Sequence, residues 1–108
     1  MKRGEIWTVA GGTAYVGKPR PAVIVQDDRF DANDSIVVCP LTTDPTPAPI
    51  FRLPLQPSAR NGLRAPCWMM VDKLTAVPRR RFGRLVGALT PAEVRPLNRS
   101  IFVFLGLS

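Results

Sequence analysis

A mainly β fold with one C-terminal α-helix, built as a small and strongly twisted barrel, is predicted by three features of this 108-residue chain. Short apolar runs of strand length recur between residues 5 and 88, proline and glycine punctuate the gaps, and one helix-start signature stands at residues 90–93. The length suits a single domain over 1–108 that buries a modest core without metal or disulfide support. Apolar residues at 45% exclude wholesale disorder.

Periodicity places strands near 5–10, 20–26, 35–40, 50–55, 66–71 and 82–88, and residues 73–77 are compatible with one more. Ala22 to Val25 is an uninterrupted, mostly β-branched run, which reads as a strand covered on both faces. Arg20 stands at its mouth between Pro19 and Pro21. Proline fixes its own φ and biases the preceding residue toward extended backbone, so Lys18 and Arg20 are both pre-set and the Arg20 side chain is aimed before any ligand arrives. Residues 11–17 form a flexible loop with a single aromatic, Tyr15; 44–49, Asp-Pro-Thr-Pro-Ala-Pro, run extended over the surface; 56–65 form a loop with a tight turn at Asn61-Gly62.

Thr90-Pro91-Ala92-Glu93 combines an N-cap, a proline at the first helical position and a glutamate at N3, a capping box. Val94, Leu97, Ile101 and Phe104 or Leu105 recur at a spacing of three to four and give the helix one apolar face for the sheet, with Gly106 as its stop. Short strands followed by one helix suggest an SH3-like barrel.

Net charge is +7, and its placement is uneven. Residues 52–84 hold eight basic groups against Asp72 alone, and twelve of the fifteen cations are arginine. Guanidinium makes bidentate hydrogen bonds to phosphate and stacks on bases, so this middle third is a candidate surface for a polyanion, with a solubilising basic face as the plainer reading. No run approaches the ~20 apolar residues of a membrane span. Met-Lys-Arg leads directly into a strand, so a cytoplasmic protein without a membrane partner is expected. Cys39 and Cys67 lie on strands and read as buried thiols rather than a bridge.

Histidine is absent, which excludes imidazole acid–base chemistry, a Cys-His nucleophile and a His-containing zinc site. Two cysteines cannot close a zinc site, and no Gly-rich loop is followed by Lys-Ser/Thr. No metal or cofactor is expected.

Three blocks carry a resemblance: Arg3-Gly4-Glu5-Ile6-Trp7, then Gly17 with Arg20-Pro21-Ala22-Val23-Ile24-Val25, then a strand ending in Pro40-Leu41-Thr42. In this order and register they resemble the MazF/PemK (Kid-like) toxin endoribonucleases of type II toxin–antitoxin systems, as does the ending Leu105-Gly106-Leu107. The resemblance spans the whole chain. Each motif is weak singly; specificity comes from the three together. It implies a MazF/CcdB-like fold, a homodimer, and sequence-selective, metal-independent cleavage of single-stranded mRNA that yields a 2′,3′-cyclic phosphate and a 5′-hydroxyl and inhibits translation and growth. It also implies neutralisation by an antitoxin whose acidic segment follows the basic groove.

Within that chemistry the 2′-hydroxyl is the nucleophile, so positioning and preorganised charge can supply much of the acceleration. Arg20 is the candidate to hold the scissile phosphate and stabilise its growing charge, and Thr42 to donate to a phosphate oxygen or orient the 2′-hydroxyl. A bridging role for Arg20 and a strand-ending role for Thr42 are the structural alternatives. The family's His-Glu-Gln-like segment is missing from the shortened first loop. Where the Kid-like branch has an Arg and an Asp flanking one residue, this chain reads Met70-Val71-Asp72. Asp72 is therefore a candidate proton acceptor or one half of an ordinary ion pair. Candidate RNA-binding residues are Tyr15, Gly17, Lys18, Thr43, Arg52, Arg79, Arg80 and Arg81. Trp7, Trp68, Met69 and Met70 read as core or dimer-interface residues. Two further readings remain: a CcdB-like DNA gyrase poison, whose terminal Trp-Gly-Ile is replaced here by Phe104-Leu105-Gly106-Leu107-Ser108, and a non-catalytic SH3-like nucleic-acid-binding module.

Overall fold

The computed structural model describes residues 1–11 and 18–108, so the expectations for Tyr15 and Gly17 lie outside the described residues. Among the described residues seven strands form one antiparallel sheet: β1 Glu5–Val9, β2 Arg20–Ile24, β3 Ser35–Thr42, β4 Arg52–Leu55, β5 Cys67–Met70, β6 Thr75–Pro78 and β7 Phe82–Ala88, followed by the helix α1, Pro91–Phe104. The spatial order is β4-β5-β3-β2-β1-β7, with β6 also paired to β3. Among the described residues β4 and β7 are not joined to each other, so the twisted sheet does not close into a complete barrel.

β3 is the hub of this arrangement. Its first half, Ser35 to Val38, pairs with β6, and its end, Leu41 and Thr42, pairs with Met69 and Trp68 of β5. That second pairing carries the strand two residues past the expected boundary at 40. Conversely, the expected strand 66–71 stops at Met70, because Val71–Lys73 turns into a short 3-10 segment, with the Val71 N–H donating to the Phe51 carbonyl (2.9 Å).

Successive strand residues point to opposite faces, and both faces of β2 and β3 are buried. Val23, Cys39 and Leu41 enter the larger core with Ile6, Met69 and the helix residue Leu97; Ala22, Ile24, Ile36 and Val38 form a second cluster with Val77, flanked by Trp7, Val9 and Phe82. The double coverage read from Ala22–Val25 is borne out at Ala22, Val23 and Ile24, all buried.

The capping box is present as read. The Glu93 N–H donates to Thr90 Oγ1 (3.2 Å) and the Thr90 N–H to Glu93 Oε1 (2.8 Å). Leu97 and Ser100 are buried, the Ser100 hydroxyl donating to the Ile50 carbonyl. At the other end Gly106 takes φ +75°, Leu107 N–H reaches the Phe102 carbonyl and Gly106 N–H the Val103 carbonyl, a Schellman stop. The apolar face ends earlier than its spacing suggests: Phe104 and Leu105 keep 44% and 54% of their surface exposed. Beyond Ile101 the last turn meets a loop side chain, with the Phe104 and Phe51 rings 5.8 Å apart.

Loop 56–65 clamps β7. Asn61 is fully buried; its Oδ1 accepts from the Ser58 (2.9 Å) and Leu63 (3.0 Å) N–H groups, and its Nδ2 donates to the Gln56 carbonyl (2.7 Å). Arg60 joins in through its carbonyl, which accepts from Ala88 N–H, and through its guanidinium, which donates to the Leu89 carbonyl. Both cysteines are free and buried. Burial, with the Asp72 charge second, pushes the Cys39 thiol up to about 12, and burial also raises Cys67, so neither is a ready thiolate at neutral pH.

Candidate active site

Arg20 opens β2 and pairs with Val9 of β1. On its other side β2 runs against β3 with Ala22 opposite Pro40 and Val23 opposite Cys39. Continuing that register by two residues sets Arg20 opposite Thr42, although the ladder itself ends at Ala22–Pro40 as β3 turns toward β5. By strand alternation both residues share the face of Ala22 and Val38, the side away from α1. Thr42 Oγ1 accepts from the Asp44 N–H (3.1 Å), and its hydroxyl proton is still able to donate.

A cavity of about 300 Å³ opens on this face, within the size range of small-ligand sites. Its floor is aliphatic, from Val9, Ala22, Val38 and Val77 together with Pro21 and Pro40, and Arg20, Lys73 and Arg81 provide its charge. No acidic side chain is among its described lining residues. Thr42 lies one residue beyond Leu41, the last β3 residue of the wall.

The other candidates separate. Arg81 reaches the cavity, its carbonyl accepting from Ala10 N–H (2.8 Å). Arg79 instead donates from Nε to the Asn33 carbonyl (3.0 Å), and Arg80 and Thr43 are exposed. Lys18 borders a second, shallower depression with Thr8 and Arg84. Arg52 grips Asp72 bidentately, Nε to Oδ1 at 2.7 Å and a terminal guanidinium nitrogen to Oδ2 at 3.0 Å, with side chains only 12% and 23% exposed. That hydrogen bonding holds the Asp72 carboxyl below its ordinary value of 3.8. A depressed carboxylate contributes stability above its unfolded pKa and loses it as pH falls through the folded value. The gap in melting temperature between wild type and Asp72→Asn should therefore stay constant from pH 8 to about 5 and shrink below about pH 4. A pH-independent gap would show that the charge contributes nothing.

Lys73, Met70 and Thr75 are cavity residues that sequence reasoning missed. Thr75 arrives because β6 sets it opposite Val38, a long-range pairing with no local signal. Lys73 follows Asp72 at the end of the 3-10 turn.

A cationic, aliphatic-floored cavity at the mouth of β2, on this twisted sheet with its single terminal helix, defines a toxin class: residues 2–105 match the family described as "PemK-like, MazF-like toxin of type II toxin-antitoxin system", and the chain belongs to that family. Over 108 residues it is 44% identical to a protein of Mycolicibacterium smegmatis named "Probable endoribonuclease MazF", covering 100% of this chain and 99% of that one. The fold is also that of solved structures. A mycobacterial endoribonuclease in complex with its cognate antitoxin superposes with a TM-score of 0.83 at 22% identity, covering 100% of this chain and 97% of the other. The Mycobacterium tuberculosis toxin MazF-mt6 gives 0.79 at 23%, covering 95% and 98%. MazF in the MazE-MazF structure of Deinococcus radiodurans gives 0.77 at 15%, covering 100% and 97%.

Proposed function

We propose that this chain is a sequence-selective, metal-independent endoribonuclease toxin of the cytoplasm that cleaves single-stranded mRNA, arresting translation and growth until an antitoxin neutralises it. The observation that carries the reading is Arg20 at a cavity with three cations and an aliphatic floor, on the same face as Thr42. The full-length relative named as an endoribonuclease supports the same chemistry.

The RNA 2′-hydroxyl attacks the adjacent phosphorus and loses its proton; the P–O5′ bond breaks and the 5′-oxygen gains one. A 2′,3′-cyclic phosphate and a 5′-hydroxyl result. Arg20 stabilises the charge that accumulates on the phosphorane, and Thr42 donates to a phosphate oxygen or orients the nucleophile. An unpaired base suits the aliphatic floor, whereas a duplex cannot turn its base faces to it. Asp72, with both oxygens already accepting from Arg52 and a lowered basicity, serves as the strut of the 71–73 turn rather than as the proton acceptor. A homodimer would extend the groove across two subunits, and an acidic antitoxin segment would compete for the same cations.

The test is purified protein with end-labelled single-stranded RNA in excess EDTA. Cleavage to fragments with cyclic-phosphate ends is expected. Binding without cleavage would replace the reading with a nucleic-acid-binding module, and intact RNA together with topoisomerase inhibition would replace it with a gyrase poison.

A further inference from the structure

The strand order brings cations to Arg20 from opposite sides. Arg20 lies on β2; Arg81 precedes β7, two strands away in one direction, and Lys73 follows β5, two strands away in the other. Both line the Arg20 cavity. Lys73 is exposed, and the carboxylate next to it in sequence, Asp72, has both oxygens accepting from Arg52. The same ion pair fixes the turn on which Lys73 stands. With no acid among the described lining residues, the field at this rim favours an anion.

We propose that Lys73 is an RNA-binding residue that holds the phosphate next to the scissile one, so that Lys73, Arg20 and Arg81 grip successive phosphates of one strand laid across β2. The assignment rests on the nuclease reading of the Arg20 site and adds a contact to it. An ammonium on a flexible stem suits this neighbouring position: it supplies a point charge to a phosphate that does not react, while the planar fork of arginine stays at the one that does.

The experiment uses full-length protein and a single-stranded RNA made non-cleavable by 2′-deoxy substitution at the cut site, with affinity measured by fluorescence anisotropy across a salt series. Each single-strand phosphate contact contributes about 0.7 to the slope of log affinity against log salt. Lys73→Gln should lower that slope by about 0.7 and weaken binding about tenfold at low salt. Lys73→Arg should retain both. On cleavable RNA the Lys73→Gln loss should fall on KM more than on kcat, and its melting temperature should match wild type. A Lys73→Gln variant with wild-type slope and affinity, in a protein that cleaves RNA, overturns the Lys73 assignment alone. Wild-type protein that binds no RNA overturns the functional reading and the assignment with it.

Discussion

Arg20→Ala is expected to slow single-turnover cleavage of single-stranded RNA by about 10²- to 10³-fold in a protein that remains folded. That is the range lost when one preorganised charge-stabilising group is removed from a developing oxyanion. The side chain is exposed at the start of β2, outside both apolar clusters, so its removal opens no core cavity. Arg20→Lys should recover only part of the rate, because an ammonium cannot make the two parallel hydrogen bonds of a guanidinium. Thr42→Val, which keeps the shape and deletes the hydroxyl, should cost about tenfold or more in rate, in line with loss of a hydrogen bond to a charged group. It should also cost a little stability through the lost Asp44 contact, whereas Thr42→Ser should preserve both. Wild-type rates in folded Arg20→Ala and Thr42→Val proteins would remove the chemistry from this end of the cavity.

The largest loss of stability is expected from Gly62→Ala. Gly62 has φ +67°, and a Cβ there would stand 2.2 Å from the Val86 carbonyl oxygen, a backbone atom of β7 that cannot swing aside. The loop would have to lift, releasing the Asn61 side chain from its three hydrogen bonds and Arg60 from Ala88 and Leu89. We expect about 3–5 kcal/mol by urea denaturation, the range of severe backbone and buried-polar disruptions. Gly106→Ala is the internal control: φ is +75°, yet the new methyl group would meet no packed neighbour from elsewhere in the fold within 4 Å. Only the left-handed penalty of about 1–2 kcal/mol applies there. Equal costs at the two positions would show that the clash at Val86 is relieved cheaply.

What the sequence made legible was whatever is encoded locally. The Thr90 capping box, the Gly106 stop and the Ala22–Val25 run, buried at its first three residues, each depend on residues a few positions apart. The shared face of Arg20 and Thr42 was also accessible, because two consecutive strands joined by a modest loop pair antiparallel and alternation does the rest. Long-range register was not accessible. No local signal says that β6 returns to β3, or that β3 changes neighbours partway along, so Thr75 and Lys73 went unseen as cavity residues. Charge alone could not separate Arg81, which faces the cavity, from Arg79, which ties down a backbone carbonyl, or from Arg52, which Asp72 occupies. Asn61-Gly62 was legible as a turn, but the full burial of the Asn61 side chain was not, since it depends on β7 packing against the loop.

The forked pairing of β3 also bears on when the proposed site comes together. One eight-residue segment must find three neighbours at once, and a single-residue slip along any of them would rotate the Thr42 hydroxyl into the hydrocarbon interior. A nascent or misregistered polypeptide therefore carries the same arginine and threonine but cannot present them side by side. On the function proposed above, cleavage therefore waits on complete assembly of the sheet.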